Sequence, residues 1–447
     1  PQAQSKASST SLSGKVFILK PAVDCKTAFC SDGNLCTKDE CDDTKGCVYT
    51  QLTEGSACDD NSKCTTSDTC KGGQCQPGKP LSCDDSNDCT SDACSPSAGC
   101  IYENRGSGAT SVQLVAGSVV VTAGYKDGKG AQALFNRPLS LAVGPDKVIY
   151  VADTMNQRIR RIANDGTVTT VAGAPQKGTG SGWDPDHKDG KGSVARFAEP
   201  HGIAVDGNGV LYVTDYVTHV IRRIAADGEV TTLAGAAKTP CANTASKCDG
   251  AASSAKFNHP WGIDVDSKGV VYVADMDLHA IRRITVGPLA TNVTTVAGGN
   301  VDPQSKLKHG LKDGLGAGAL FYRPRGIALH PDGGSLYVAD HQNNAVRSVL
   351  LSNGAVTTVA GGSAAGGHKD AKGSLAQFKL LEGVAVDDLG GVYVADKVNF
   401  RLRRVASDGS VTTIAGSGLV GSVDGLADLA RLNYPADVAI LSDTKLI

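Results

Sequence analysis

Four chemically versatile residues of this 447-residue chain occupy one recurring position. They are His201 in "EPHGIAVD", Trp261 in "HPWGIDVD", Arg325 in "RPRGIALH" and Glu382 in "LLEGVAVD", where Leu381 replaces the proline. Leu139 and Ala436 hold the same place in two further copies. A second set follows a shared aspartate: Thr154, Tyr216, Met276, His341 and Lys397. One aromatic anchor, opposed charges and a titratable ring are what a binding mouth uses. Asp264 adds to them, because it stands where other copies have Ala on an inner strand, and an unpaired carboxylate there would be costly. The expected ligand-binding rim is therefore His201, Trp261, Asp264, Arg325, Glu382, Tyr216 and His341, suited to a protein or glycan ligand.

Catalysis asks for more. A metal centre needs several His or carboxylates converging on one ion. Only His201 holds the post-proline position, His341 follows an aspartate, and His219 and His279 fall in turns. No Ser-His or Cys-His constellation is readable either. The chain reads as a binding protein and not as an enzyme.

Two other groups carry chemistry. Asp84, Asp85, Asn87, Asp88 and Asp92 gather the hard oxygens that Ca²⁺ takes, yet no bidentate Glu follows at the usual spacing. A calcium loop and a solvated acidic turn both fit. Thirteen of the fifteen cysteines lie between Cys25 and Cys100, a density that points to disulfides and an oxidising compartment. No His stands among them and most spacings exceed those of zinc sites, so thiolate metal binding is disfavoured. Cys241 and Cys248, in "CANTASKC", are expected to pair with each other. Cys25 is left over, as a free or intermolecular thiol.

Net charge is −2, which gives no general pull toward nucleic acid. It is unevenly divided: residues 24–104 hold fifteen Asp/Glu against six Lys/Arg, a net of −9. No apolar run approaches the ~18 residues of a membrane span. The start, "PQAQSKASSTSLSG", reads as a mature N-terminus or a polar spacer. The expected location is extracellular or at the cell surface.

The elements that position the rim residues are repeats. "ALFNRPLSLAVGPDKVIYVADTMNQRIRRIANDGTVTTVAG" begins at Ala133, and copies begin at Ala195, Ala255, Ala319 and Ala376. Each gives four short Val/Ile-rich runs separated by Gly, Asp and Asn turns, and none shows a helical period. Four antiparallel strands repeated radially make propeller blades. In such a blade the loop into strand one and the turn between strands two and three share a face, which gathers the variable residues on one rim. What recurs in every copy reads as scaffold: Asp153, Asp215, Asp275, Asp340 and Asp396, and the Arg of "IRR". The Asp of the "DG" turns (Asp127, Asp189, Asp249, Asp313, Asp424) is too dispersed to hold one ion.

A sixth copy starts at Ala430 and runs only to Ile447. "SVQLVAGSVVVTAG" before the first copy is expected to supply the missing half, with Val119–Gly124 as the fourth strand, closing a six-bladed ring. "GKVFILK" (Gly14–Lys20) is left as a possible strand added to a neighbour, a route to self-association together with Cys25.

These copies resemble NHL repeats in P-x-G-I-A-V-D, Y-V-A-D, I-R-R-I and D-G-x-V-T-T-V-A-G, over about residues 110–447. The resemblance implies an all-β, six-bladed propeller. It also admits metal-dependent lyases and, among other six-bladed propellers, calcium lactonases. This chain departs from the pattern in its longer inter-blade loops and in often lacking the Asn-His pair. The segments Cys30–Cys47, Cys58–Cys75 and Cys83–Cys100 share a four-Cys plan that resembles slime-mould extracellular-matrix repeats. The expected organisation is a spacer with a possible strand (1–24), a disulfide-stapled head (25–104) and a propeller (110–447). The expected function is a secreted or cell-surface binding or adhesion module. A structural subunit of an extracellular matrix or filament is the alternative.

Overall fold

The computed structural model describes residues 111–118, 123–174, 187–242, 248–287, 290–300, 307–442 and 445–447, and the backbone of strands at 16–20, 37–42, 46–51, 70–71, 74–75, 90–95 and 99–104.

Each contiguous repeat folds into one antiparallel sheet. In the first blade Pro138–Val143 pairs with Ile149–Asp153, which pairs with Arg158–Ile162, which pairs with Thr167–Ala172. A short outer strand, Gly128–Lys129, adds to the fourth. The next three blades repeat this five-strand order, and the fifth has four strands. Alternation puts Val, Ile and Ala on the blade faces, so the core lies between blades. The layer joining blades one and two centres on Phe197 with Ala152, Ile159, Ile203 and Val213. Phe257, Phe321 and Phe378 centre the next three layers.

Inside each blade one arginine ties the turns together. Arg160, fully buried, donates to Asp153 at the end of strand two (2.7 Å) and to Asp127 of the "DG" turn (2.6 Å). It also reaches the carbonyls of Leu134 and Lys126. Asp127 in turn accepts from the Thr170 hydroxyl, and Asp153 from the Asn136 N–H. The same network recurs at Arg222, Arg282, Arg347 and Arg403. Each of these guanidiniums also lies over the layer phenylalanine, 5.0 Å from the Phe197 centroid in the second blade. The "DG" aspartate is thus more than a turn former.

The described residues form five complete blades and not the six expected. In place of a contiguous sixth there is a sheet gathered from separate parts of the chain. Its order is Gly425–Leu426, Ser111–Ala116, Val16–Lys20, Lys445–Leu446, Ile440–Ser442. Ser111 and Val112 face Leu426 and Gly425 as Thr167 and Val168 face Lys129 and Gly128. "SVQLVAG" therefore takes the place of "TVTTVAG". Gly117 (φ 111°) matches Gly173 (φ 96°), the left-handed position that glycine tolerates best. This corrects the expected register, in which Val119–Gly124 was the fourth strand; residues 119–122 lie outside the described residues. Val16–Lys20 takes the third place in this chain's own sheet, which corrects its reading as a strand offered to a neighbour. Ala116, Leu441 and Ile447 pack with Phe135, Ile149 and Val151 of the first blade.

Contacts divide the chain into two compact units, one of Pro1–Ile18, Leu114–Val423 and Arg431–Ile447, the other of Leu19–Gln113 and Asp424–Ala430. The second contains three hairpins whose register sets Cys41 opposite Cys47, Cys70 opposite Cys75 and Cys94 opposite Cys100. Cys25, Asp84, Asp85, Asn87 and Asp88 lie outside the described residues, and of Asp92 only the backbone is described, in a strand. No helix among the described residues is long and apolar enough to cross a membrane.

Replacing Arg222 with Ala leaves two carboxylates without their shared cation, one of them fully buried. Denaturant unfolding is expected to show a loss of about 3–5 kcal/mol. Deleting residues 1–20 is expected to lower the propeller's melting temperature, because it removes an interior strand of the sixth sheet. An unchanged melting temperature would contradict that pairing.

Candidate ligand-binding rim

The first strands are the innermost elements, and together they line a channel of about 260 Å³. At its mouth the blades approach closely. A Cβ on Gly202 would sit 2.3 Å from the Trp261 carbonyl oxygen, and one on Gly262 would sit 2.1 Å from that of Arg325. Only glycine permits this backbone contact, which brings the side chains at 201, 261 and 325 within reach of one another. Two copies lack the glycine, and there a side chain bridges the junction. The Ser140 hydroxyl accepts from the Ile203 N–H (3.3 Å), and the Asp437 carboxylate accepts from the Leu141 N–H (3.1 Å).

The residue entering each first strand is kinked into the left-handed region: Arg137, Glu199, His259, Arg323, Leu380 and Tyr434 have φ between 50° and 66°. Such positions cost of order 1–3 kcal/mol each and need external support. Side chains of the preceding blade provide it. His219 Nδ1 accepts from the His259 N–H (3.1 Å), His279 Nδ1 from the Arg323 N–H (3.2 Å) and Asn344 Oδ1 from the Leu380 N–H (2.7 Å). An imidazole can accept there only while its Nδ1 is unprotonated. Burial holds both His219 and His279 down at about 4.

Six of the seven residues expected at the rim meet in one chain of contacts. The His201 and Tyr216 rings stack at 4.2 Å, and the His201 and Trp261 rings meet edge-on at 4.3 Å. The Arg325 guanidinium lies 4.0 Å from the Trp261 centroid. Its Nη1 donates to both oxygens of Glu382, at 2.6 and 2.7 Å. Glu382, buried, also accepts from Lys397 (3.0 Å), and His341 Nδ1 is 3.8 Å away. Burial would raise the Glu382 carboxyl, but the neighbouring Arg325 and Lys397 charges outweigh it and hold the group below its ordinary value.

Asp264 stands apart from this chain. It lines the channel, where it accepts from the N–H groups of Leu329 and Val265, both at 2.8 Å. Its carboxylate is paired with backbone donors, and burial raises it to about 6. Asp437, also in the channel wall, is raised by burial to about 7.

Sequence reasoning overlooked three neighbours. Glu199 Oε2 lies 3.4 Å from His201 Nε2, and His259 Nδ1 bonds Asp277 (2.8 Å) while its ring lies 4.5 Å from Tyr216. The available signal was the kink: Glu199 and His259 stand just before the proline of their copies. No group of three His, Cys, Asp or Glu able to hold a metal occurs among the described residues. Cys241 and Cys248 form a disulfide with Cα atoms 6.0 Å apart.

Repeat and blade together define an all-β propeller whose repeats are similar to those of the NHL family. The NHL repeat family model matches residues 135–162, 197–224 and 257–283. The Dictyostelium (slime mold) repeat model matches residues 30–52 and 82–103. Among relatives, the chain is 29% identical over 339 residues to Protein SUPPRESSOR OF QUENCHING 1, chloroplastic, of Arabidopsis thaliana; the match covers 72% of this chain and 30% of that protein. It is 27% identical over 300 residues to NHL repeat-containing protein 2 of Homo sapiens, covering 63% and 40%. It is 28% identical over 339 residues to Teneurin-4 of Homo sapiens, covering 69% and 12%. The chain thus spans well under half the length of these relatives. A solved auxiliary nutrient binding protein from Bacteroides thetaiotaomicron shares the fold, with a TM-score of 0.52, 16% identity and coverage of 73% and 70%.

The two histidine latches predict acid sensitivity. Their folded pKa values lie below the ordinary 6.5, so the unfolded chain takes up protons first. The stability they contribute is full above about pH 6.5 and is lost as pH falls toward 4. His219→Asn with His279→Asn, which copies the natural Asn344 latch, should flatten the pH dependence of the melting temperature across this window. An unaltered slope would show that the latches do not titrate as argued.

Proposed function

We propose that this chain is a binding module whose recognition surface is the rim built by His201, Tyr216, Trp261, Arg325 and Glu382. The observation that carries the reading is the contrast within each repeat. The buried Arg–Asp network is the same in five blades, whereas equivalent rim positions carry unlike side chains that meet in one contact chain. A scaffold requirement explains the first and leaves the second unexplained. Recognition by a rigid edge explains it, because inter-blade packing already fixes these side chains and little entropy is lost on binding.

The sheet that joins Val16–Lys20 and Ser111–Ala116 to the last strands acts as a sixth blade, and the ring is six-bladed. The domains are an N-terminal spacer at 1–24 whose strand Val16–Lys20 joins that sheet, a disulfide-stapled stalk at 25–104 and a propeller at 110–447. The cysteine density and the slime-mold repeats support an extracellular or cell-surface location, with a matrix protein or glycan as partner.

A printed array of defined glycans and purified matrix proteins tests the reading. Trp261→Ala should weaken the wild-type array signal by roughly 2 kcal/mol or more while the melting curve stays cooperative. A variant that loses stability but binds as before would show that Trp261 only packs, and the rim reading would be lost. For a metal-dependent lyase or lactonase the pattern differs: His201→Ala would abolish both bound metal and turnover, and Trp261→Ala would matter less.

A further inference from the structure

Resting on the recognition reading, we infer that the rim takes a carboxylate-bearing sugar, a uronic acid unit of an acidic glycan. Two polar atoms in the contact chain are buried and have no hydrogen-bond partner among the described residues, Arg325 Nε and His201 Nδ1. Both residues flank the same ring, Trp261. Nε is also unpartnered in Arg160, Arg222, Arg282 and Arg347, but there both terminal nitrogens are committed to carboxylates and carbonyls inside the blade. Arg325 differs, since its ion pair with Glu382 runs through Nη1. The Nε–Nη2 edge of a guanidinium is a planar pair of donors that matches a carboxylate. Trp261 and Glu382 hold that plane in place before any ligand arrives.

Charge and protonation narrow the ligand further. Arg325 and Lys397 set two cations against the single carboxylate of Glu382. Glu199 and Asp277 are the other nearby anions: Glu199 faces the opposite ring nitrogen of His201, Nε2, and Asp277 is already paired with Arg323 and His259. The two imidazoles act as acceptors. His341 Nδ1 lies 2.6 Å from the Leu381 carbonyl oxygen, which only accepts, so Nδ1 carries the proton and Nε2 keeps its lone pair. Burial holds His341 at about 4 and pushes His201 down as well, so both are neutral near pH 7. With Nε2 of His201 directed at Glu199, its Nδ1 is likewise a lone pair. Two hydroxyl-accepting nitrogens beside a carboxylate-binding edge and an aromatic surface suit a molecule that carries both hydroxyls and a carboxylate. An acidic sugar has both, whereas an acidic peptide side chain lacks the hydroxyls. Since the two buried atoms are already stripped of water, a ligand group that reaches them gains a hydrogen bond without that desolvation cost on the protein side.

Isothermal titration of the full chain with trigalacturonic acid, its methyl ester and a triglutamate peptide tests the inference. The acid is expected to bind, with the ester and the peptide at least tenfold weaker. Arg325→Gln combined with Glu382→Gln removes the pair without leaving a buried charge, and Lys397→Met removes the second cation. Each should weaken the acid at least tenfold with a cooperative melt retained. Equal binding of the ester, or failure of the acid to bind at all, would overturn carboxylate recognition. Preference for the peptide would overturn the sugar assignment. In each of these cases a Trp261-dependent array signal would leave the recognition reading standing, whereas loss of that signal's dependence on Trp261 would remove both.

Discussion

The buried arginine of each third strand is the constraint on which the rest of the propeller depends. Arg160, Arg222, Arg282, Arg347 and Arg403 each connect the end of strand two to the outer turn, which reads "DG" in the first four blades and "DA" (Asp370-Ala371) in the fifth. A guanidinium fully removed from water is tolerable only with several acceptors, and each finds two carboxylates and two carbonyls. This fixes the second-strand aspartate, and with it the N–H of the residue after the layer phenylalanine, as at Asn136 and Asn258. One charge network thereby sets the angle at which the chain enters the first strand of the same blade.

From that entry the rim follows. Kinked residues such as His259 and Arg323 turn the chain inward, latched by His219 and His279. Glycines at 202 and 262 then let neighbouring first strands touch. The residues between kink and glycine have little freedom left. His201, Trp261 and Arg325 are displayed by backbone that the scaffold has already ordered, which is the preorganisation that recognition favours.

The sixth sheet shows a different economy. It has no contiguous repeat, yet it reproduces the strand order of the first four blades. Ser111–Ala116 fits the fourth place because Gly117 supplies the left-handed turn that Gly173 supplies in the first blade. The inner edge of that junction depends on Asp437, whose side chain reaches Leu141 where glycine packing is absent.

How much of this was legible in the sequence depends on whether the signal is periodic. Blade existence, strand boundaries and the scaffold role of Asp153 and its counterparts could be read because five copies repeat them, and repetition separates what a blade needs from what it only carries. Strand parity fixes which turns share a face, and from it His201, Tyr216, Trp261, Arg325, Glu382 and His341 are expected on one rim. The sequence could not show that Asp264 turns into the channel to accept backbone N–H groups, or that Glu199 and Asp277 join the rim. Nor could it show that Val16–Lys20 fills the third place of the sixth sheet. Those outcomes depend on contacts between residues distant in the chain, where local pattern carries no information and only the closure of strand on strand and blade on blade decides the partner.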